Sequence, residues 1–326
     1  MAASDLASAH EGIFHYMEPE AISSLFRNGR VLTRRDPDGS DDERVGVDLQ
    51  SAKMPVANAR ELPGDAHCTL ERNGFELVHR PLASPLDFFD HDAVLRNYYG
   101  ECAELIREST GATTVRAFDH NVRSAVGKQS KTRISGGQQV QGPAHVVHGD
   151  YTLTSAPQRL RDLSKQPSGN DTYRELLNEG ESLLDPDEVE RAISNGRFAI
   201  INLWRNIADE PVATHPLALC DAQTVIPDDL VVFEIHYDDR IGENYFAKHA
   251  DKHRWYYYPA MTRDEALLIK QWDSAGPMAQ SSGASSDAHT PGAPGTFSFH
   301  SAFEDPATPL DAPDRWSIEV RCAVLY

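Results

Sequence analysis

The sequence predicts a mainly β protein with flanking helices, built on a double-stranded β-helix of the jelly-roll, cupin-like kind. Three observations carry that expectation. The second half of the chain is a series of short segments rich in β-branched and aromatic residues, closely spaced and punctuated by turn residues. A β-like run ending in His148-Gly149-Asp150 precedes the series, and a strand opening on Arg315-Trp316-Ser317 closes it. The 326 residues are enough to bury a sizeable core, and neither an internal repeat nor a second region with its own core pattern is visible. We therefore expect residues 1–326 to form a single domain. Its parts are an N-terminal segment over 1–45, strands and a helix over 46–143, and a jelly-roll core over 144–326 that carries a helical insertion over 156–195.

Composition narrows the function classes. The formal charge is -19, from 50 acidic against 31 basic residues, whereas a nucleic-acid partner calls for a basic face. Cys68, Cys102, Cys220 and Cys322 are widely separated and form no C-x-x-C pair, so neither a zinc site nor a disulfide framework is indicated. The N-terminus lacks a basic stretch followed by an apolar run, and no apolar segment approaches membrane-spanning length. The expectation is a cytoplasmic protein with no membrane partner and a small-molecule ligand.

Taken in order, Ile13, Phe14, Tyr16, Leu25 and Phe26 are scattered apolar positions ahead of a polar loop over 34–43. Met54–Arg60 and Gly74–Arg80 read as short strands, the second with apolar and polar residues alternating in period two. From Asp92 to Thr110, Val94, Leu95, Tyr98, Cys102, Leu105 and Ile106 recur at spacings of three and four and end at Gly111, which predicts an amphipathic helix. Ala112–His120 reads as a strand. Residues 124–143, with Gly127, Gly136, Gly137 and Gly142, read as a flexible polar loop able to close over a site. The insertion has periodic leucines broken at Pro167-Ser168-Gly169-Asn170, and its polarity predicts packing on the outside of a sheet. Strands follow over 198–204, 217–225, 230–237, 254–261, 266–272, 296–303 and 317–326. The serine- and glycine-rich interval 275–295 reads as a loosely held loop.

The chemistry concentrates at His148 and Asp150. In an extended strand residues i and i+2 share a face, so an imidazole and a carboxylate there can approach one metal ion, and Gly149 lets the backbone come close. Taken alone, H-x-D is weak, and a strand-end histidine bonded to a turn aspartate explains it as well. A distal histidine, His300, at the end of an aromatic strand completes two imidazoles and one carboxylate, the facial set that suits iron(II) with three open positions. Fifteen residues on, Arg315 offers a fork for a carboxylate, with the Ser317 hydroxyl on the same face. Arg321 shares that strand parity and competes with Arg315. Other histidines compete for the metal. His120 with Asp119 sits on opposite strand faces and reads as structural, and His249-x-x-x-His253 lacks an acidic base and reads as a surface turn.

Asn202-Leu203-Trp204-Arg205-Asn206, Trp255 through Glu265, Phe299-His300-Ser301-Ala302-Phe303 and Arg315-Trp316-Ser317-Ile318-Glu319-Val320-Arg321 together resemble the AsaB-like hydroxylase/desaturase family. That family, with its gibberellin desaturase and CmcJ-related members, is similar to the iron(II)/2-oxoglutarate dioxygenases. The resemblance extends upstream to Asn73–Leu77 and Phe118–Arg123. It implies that His148, Asp150 and His300 hold iron(II), that Arg315 with Ser317 grips the distal carboxylate of 2-oxoglutarate, and that dioxygen is the third reactant. It also makes Arg205 and Tyr258 cosubstrate or substrate contacts to weigh against satisfied strand-edge residues. The interval from Asp150 to His300 is longer than in compact members of the superfamily, which requires the insertion and the 275–295 loop to lie outside the barrel.

The reading that follows is a non-haem iron(II)- and 2-oxoglutarate-dependent oxygenase. It would hydroxylate, desaturate or cyclise a small secondary metabolite or amino-acid-derived substrate by hydrogen-atom abstraction. The aromatic residues Trp204, Trp255, Tyr256, Tyr258 and Trp272 are expected to line a pocket for it, or equally to pack the core. Two other classes stay open on the sequence: a 2-oxoglutarate-independent non-haem iron oxidase, and a cupin-like small-molecule-binding protein without catalysis.

Overall fold

Alternation of apolar and polar residues places most of the expected strands. The computed structural model, which describes residues 9–34, 44–169, 171–237 and 241–326, joins them into two sheets. In chain order the strands are β1 (Ala9–Met17), β2 (Leu32–Arg34), β3 (Leu49–Asn58), β4 (Phe75–His79), β5 (Thr114–Arg123), β6 (His148–Gly149) and β7 (Phe198–Asn206). They continue with β8 (Leu217–Cys220), β9 (Leu230–His236), β10 (Ile241–Ala247), β11 (Trp255–Tyr257), β12 (Glu265–Asp273), β13 (His300–Ala302) and β14 (Ser317–Leu325). Nine form a sheet in the order β1-β3-β11-β8-β13-β6-β10-β9-β2, and five form a second in the order β4-β12-β7-β14-β5. The expected jelly-roll, cupin-like class holds.

The nine-stranded sheet curls back on itself. β1 pairs with β3 along its whole length, and bridges from Ile13 to Glu304, His15 to Val146 and Met17 to Lys248 tie its other edge to the segments around β13, β6 and β10. Phe14 stacks on Trp255 at 4.5 Å between ring centroids and on Phe303 at 5.6 Å. Together with Tyr16 and Tyr257 these rings are part of the largest buried cluster. Aromatic pairs of this kind add to the area they bury.

The five-stranded sheet has two chemically different faces because side chains alternate along each strand. On β14, Ile318, Val320, Cys322 and Val324 pack against Tyr99, Cys102, Leu105 and Ile106 of the helix Tyr99–Thr110. That helix follows the turn His91–Ala93, where the Asp90 carboxylate accepts from the Ala93 N–H, and a π-helical turn over Val94–Tyr98. It stops at Gly111, whose φ of 69° suits a glycine better than any other residue. The opposite face of the same sheet carries polar side chains in register. Ser317 lies between Asn206 and Arg123, Glu319 between Trp204 and Asn121, and Arg321 between Asn202 and Asp119.

Several expectations are corrected. β1, β2 and β10 are additional strands. β10 carries Glu243 and Asn244 in its middle, and Glu243 is buried there because Arg27 pairs with it at 2.6 Å and the Thr152 hydroxyl donates to it at 2.6 Å. The run at 217–225 ends at Cys220, where Asp221 caps the turn Ala222–Thr224, and the run at 254–261 ends before Pro259 and Ala260, the latter at φ 50°. The interval 275–295 is not loosely held: it forms the turns Pro277–Gln280 and Ser285–Ala288, and Met278 and Ala288 are buried in the main cluster. Apart from Arg34, the polar loop at 34–43 lies outside the described residues. Among the described residues no helix is long and apolar enough to cross a membrane.

The insertion contributes more than a cover. Helices Ser155–Leu163 and Pro186–Ser194 flank a short turn at Thr172–Leu176, and Asp185 caps the second helix by accepting from the Glu188 N–H. Leu160, Leu163, Tyr173, Leu184 and Val189 are fully or almost fully buried in the main cluster with Phe198 and Ala323 of the five-stranded sheet. Polar overall, the segment needs only one apolar stripe to do this. Leu160→Ala is expected to lower unfolding free energy by about 2–5 kcal/mol in a urea titration, and a change under about 0.5 kcal/mol would show the insertion to be an appendage.

Candidate metal centre

His148 and His300 are direct cross-strand partners where β6 meets β13, and their rings lie 4.4 Å apart. β6 is only two residues long because the extended stretch before it bonds to three neighbours in turn: Val147 donates to His15 O, while Ala144 and Val147 carbonyls accept from Ala302 and Ala247. Asp150 follows Gly149 and turns its carboxylate to the same point. Its Oδ1 is 3.6 Å from His148 Nε2 and 3.9 Å from His300 Nε2. The donor atoms of all three lie within 4.8 Å of one another.

The hydrogen bonds around the trio fit a metal site. His148 Nδ1 is 2.7 Å from the Val146 carbonyl and His300 Nδ1 is 3.3 Å from the Ser298 carbonyl. A carbonyl only accepts, so each Nδ1 carries the proton and a neutral ring must present a bare Nε2 toward Asp150. Both rings are neutral by environment: burial, reinforced by the neighbouring His300, pushes His148 down to about 4, and burial lowers His300 against the pull of Asp150. For Asp150 burial favours the neutral acid, yet the charge of Arg321, helped by the Asn202 amide, holds the carboxyl well below the usual range. Two bare imidazole nitrogens and one carboxylate oxygen converging on a point are the donor set that first-row divalent metals take.

Asp150 is held from several sides. Asn202 Nδ2 donates to its Oδ2 at 3.0 Å, Arg321 Nε donates to the same oxygen at 3.3 Å, and the Asp150 N–H donates to Gln271 Oε1 at 3.2 Å. Arg321 also donates from Nη1 to Asp119 at 2.9 Å and from Nη2 to Glu319 at 3.1 Å. Its guanidinium is thus shared among three carboxylates, which outweigh burial and raise its pKa.

Arg315 is in a different state. It lines a narrow recess together with Arg123, Trp204, Leu217, Glu319 and the two histidines. Its backbone N–H donates to Thr214 Oγ1 at 2.9 Å and its Nη1 to the His215 carbonyl. Nε has no partner among the described residues, and neither does the buried hydroxyl of Ser317. Burial, then the repulsion of Arg123, lowers Arg315 to about 9. A nearly buried guanidinium and a buried hydroxyl are thus each left short of partners among the described residues.

The remaining candidates are elsewhere. Arg205 points to the opposite face of β7, where its Nε donates to Tyr98 OH at 2.8 Å and its Nη1 to the Arg80 and Arg263 carbonyls. Tyr258 is buried with Ala59 and Met261, 5.9 Å from the Arg60 guanidinium. Of the expected aromatic lining only Trp204 reaches the recess, under Arg315 at 5.7 Å; Trp255, Tyr256 and Trp272 pack in core clusters. His253 is not on a surface turn: it is buried between Tyr16 OH at 3.4 Å and Asp229 at 3.2 Å. Sequence reasoning assigned no site role to Arg123, Asn202, Gln271 or Glu319. Their signal is strand register, since β5, β7 and β14 line up these positions on one face.

A model of the oxidoreductase/YMDC permease-like domain family matches residues 14–325. The alpha-ketoglutarate-dependent dioxygenase phiK of a fungal species is 29% identical over 328 residues, 97% of this chain and 96% of that protein. Hydroxylase/desaturase CTB9 of Cercospora beticola is 31% identical over 263 residues, 74% of each. Among solved structures, the iron and alpha-ketoglutarate-dependent endoperoxidase NvfI superposes with a TM-score of 0.70 over 98% of both chains at 23% identity, a likeness of fold.

His120, the rival to the trio, donates or accepts at 2.9 Å with Tyr99 OH and lies beside His91. Burial pushes it from 6.5 down to about 4, against Asp119. The unfolded chain takes up a proton near 6.5 that the native state refuses until about 4, so stability falls as pH drops through that window. The loss is on the order of 3 kcal/mol. His120→Gln should therefore lose less stability than wild type between pH 7 and about 4.5 in urea titrations; equal slopes would contradict this placement of the ring.

Proposed function

The chain belongs to the oxidoreductase/YMDC permease-like domain family and to the hydroxylase/desaturase group of iron(II)- and 2-oxoglutarate-dependent dioxygenases, and on that premise we propose that His148, Asp150 and His300 hold its iron(II) while Arg315 and Ser317 anchor its 2-oxoglutarate. The activity is that of an oxidoreductase that uses iron(II), 2-oxoglutarate and dioxygen. The observation that carries the assignment of residues is the contrast between two arginines, Arg321 within β14 and Arg315 two residues ahead of it. Arg321 is bound to three carboxylates, whereas Arg315, which lines the recess with the two histidines, has an unbonded Nε, and the buried Ser317 hydroxyl two residues on is unbonded as well among the described residues.

Bound iron(II), with 2-oxoglutarate and dioxygen, supplies the oxidising power to remove a hydrogen atom from an unactivated carbon, 2-oxoglutarate leaving as succinate and carbon dioxide. The protein does the rest. The Val146 and Ser298 carbonyls fix the histidine tautomers, and Arg321 with Asn202 fixes the carboxylate. Arg315, braced by Thr214 and His215 and backed by Trp204, neutralises the distal carboxylate in a recess that excludes bulk water. Leu217, Ala144 and Ala302 complete the wall with apolar surface. The substrate class we assign is a small secondary metabolite or amino-acid-derived compound, hydroxylated, desaturated or cyclised according to its placement. Arg205 and Tyr258 are assigned no contact with it.

Anaerobic titration of the iron(II)-loaded protein with 2-oxoglutarate is expected to produce the weak visible charge-transfer band of a bidentate 2-oxo acid. His148→Ala and His300→Ala should each lose iron, and Arg315→Ala should keep iron but need at least about tenfold more 2-oxoglutarate. A protein that holds iron yet shows no band would favour the 2-oxoglutarate-independent oxidase.

A further inference from the structure

The recess contains a second guanidinium. Arg123 ends β5 directly opposite Ser317 on β14, so the two side chains leave the sheet on the same face as neighbours. The backbone is pinned on its other side as well: Ser124 N–H donates to the Gln141 carbonyl and Gln141 N–H to the Val122 carbonyl, at 2.8 and 3.0 Å. From there Arg123 lines the recess with Arg315, His148 and His300. Its Nη1 donates to the Gly142 carbonyl at 3.0 Å, and among the described residues its guanidinium makes no other hydrogen bond and no ion pair.

The charges around the recess are unevenly distributed. Asp119, Asp150 and Glu319 all bond to Arg321, and among the described residues no carboxylate is hydrogen-bonded to Arg123 or Arg315. Two guanidiniums side by side in a desolvated space repel each other, and each is destabilised by burial. Glu319, which also lines the recess, attracts both but is already bonded to Arg321, so an anion between the two guanidiniums stabilises the arrangement further. A carboxylate has two oxygens and about four acceptor sites, enough for both forks and a hydroxyl.

We propose that Arg123 is the second arm of the cosubstrate anchor, so that the distal carboxylate of 2-oxoglutarate lies between Arg123 and Arg315 with the Ser317 hydroxyl completing the set. This rests on the cosubstrate reading given above and adds to it a residue that selects 2-oxo diacids over 2-oxo monoacids. Arg123 is a binding residue here, lining the recess together with Arg315, His148 and His300.

The test uses full-length iron(II)-loaded wild type, Arg123→Gln and Arg123→Lys, titrated anaerobically with 2-oxoglutarate and with 2-oxopentanoate, which keeps the chelating end and lacks the second carboxylate. Arg123→Gln is expected to weaken 2-oxoglutarate binding about ten- to a hundredfold, while iron affinity and 2-oxopentanoate affinity stay within about twofold. Arg123→Lys, which keeps the charge without the planar fork, should fall between. Wild-type affinity of Arg123→Gln for 2-oxoglutarate would overturn the proposal and leave the Arg315 assignment intact. Equal losses for both acids would also overturn it, since Arg123 would then act on the chelating end or on the fold. A wild type that holds iron and binds neither acid would sink the cosubstrate reading and this proposal with it.

Discussion

One guanidinium organises the centre of this protein. Arg321 reaches from β14 to Asp150, Asp119 and Glu319 at once, and Asp119 accepts in turn from Thr172 of the insertion at 2.9 Å. A buried ion cluster of this kind adds little net stability, because desolvation offsets most of the attraction. What it gives is geometry. The Asp150 carboxylate is kept ionised and aimed at the two histidines, and the same contact ties the five-stranded sheet and the insertion to the β6 end of the nine-stranded sheet.

That clamp also divides the polar face into two electrical halves. Asp119, Asp150 and Glu319 are bonded to Arg321, while Arg123 and Arg315, which share the recess with Glu319, hold no carboxylate hydrogen bond of their own among the described residues. A divalent cation fits the first half and a dianion with one chelating end fits the span between them. Neutral histidines suit this division, since protonated rings would compete with the metal for the same carboxylate. The strain in the site is electrostatic and sits with Arg315 and Arg123, whose burial is unfavourable without an anion. On the proposed assignment, a cosubstrate carboxylate bound there would relieve a cost that folding imposes, in accord with a site built in advance of its ligand.

The motifs to which we assign the chemistry were visible in the sequence because each is local. His148 and Asp150 are two residues apart, and Arg315 and Ser317 likewise, so strand parity alone puts each pair on one face. The approximate class of fold was legible for the same reason: β7, β9, β12 and β14 are long apolar runs. What could not be read is pairing. The choice between Arg315 and Arg321 depends on Asp119 and Asn202, which are distant in sequence and adjacent only through register. β10 reads as polar because its Glu243 is matched by Arg27 and Thr152 from elsewhere. The insertion was misjudged for the opposite reason: its mean polarity conceals the single stripe, Leu160, Leu163 and Val189, that enters the core. Arg205 fell on the wrong parity, one residue from Trp204, and a slip of one position moves a side chain to the other face of a sheet.

The most direct test of this account is a crystal structure of the protein loaded anaerobically with iron(II) and 2-oxoglutarate. The account predicts one metal ion ligated by His148 Nε2, His300 Nε2 and a single Asp150 oxygen, with the far carboxylate of 2-oxoglutarate on Arg315 and Arg321 still bound to its three carboxylates. Metal ligated by other residues, or a 2-oxoglutarate that displaces Asp150 from Arg321, would contradict it.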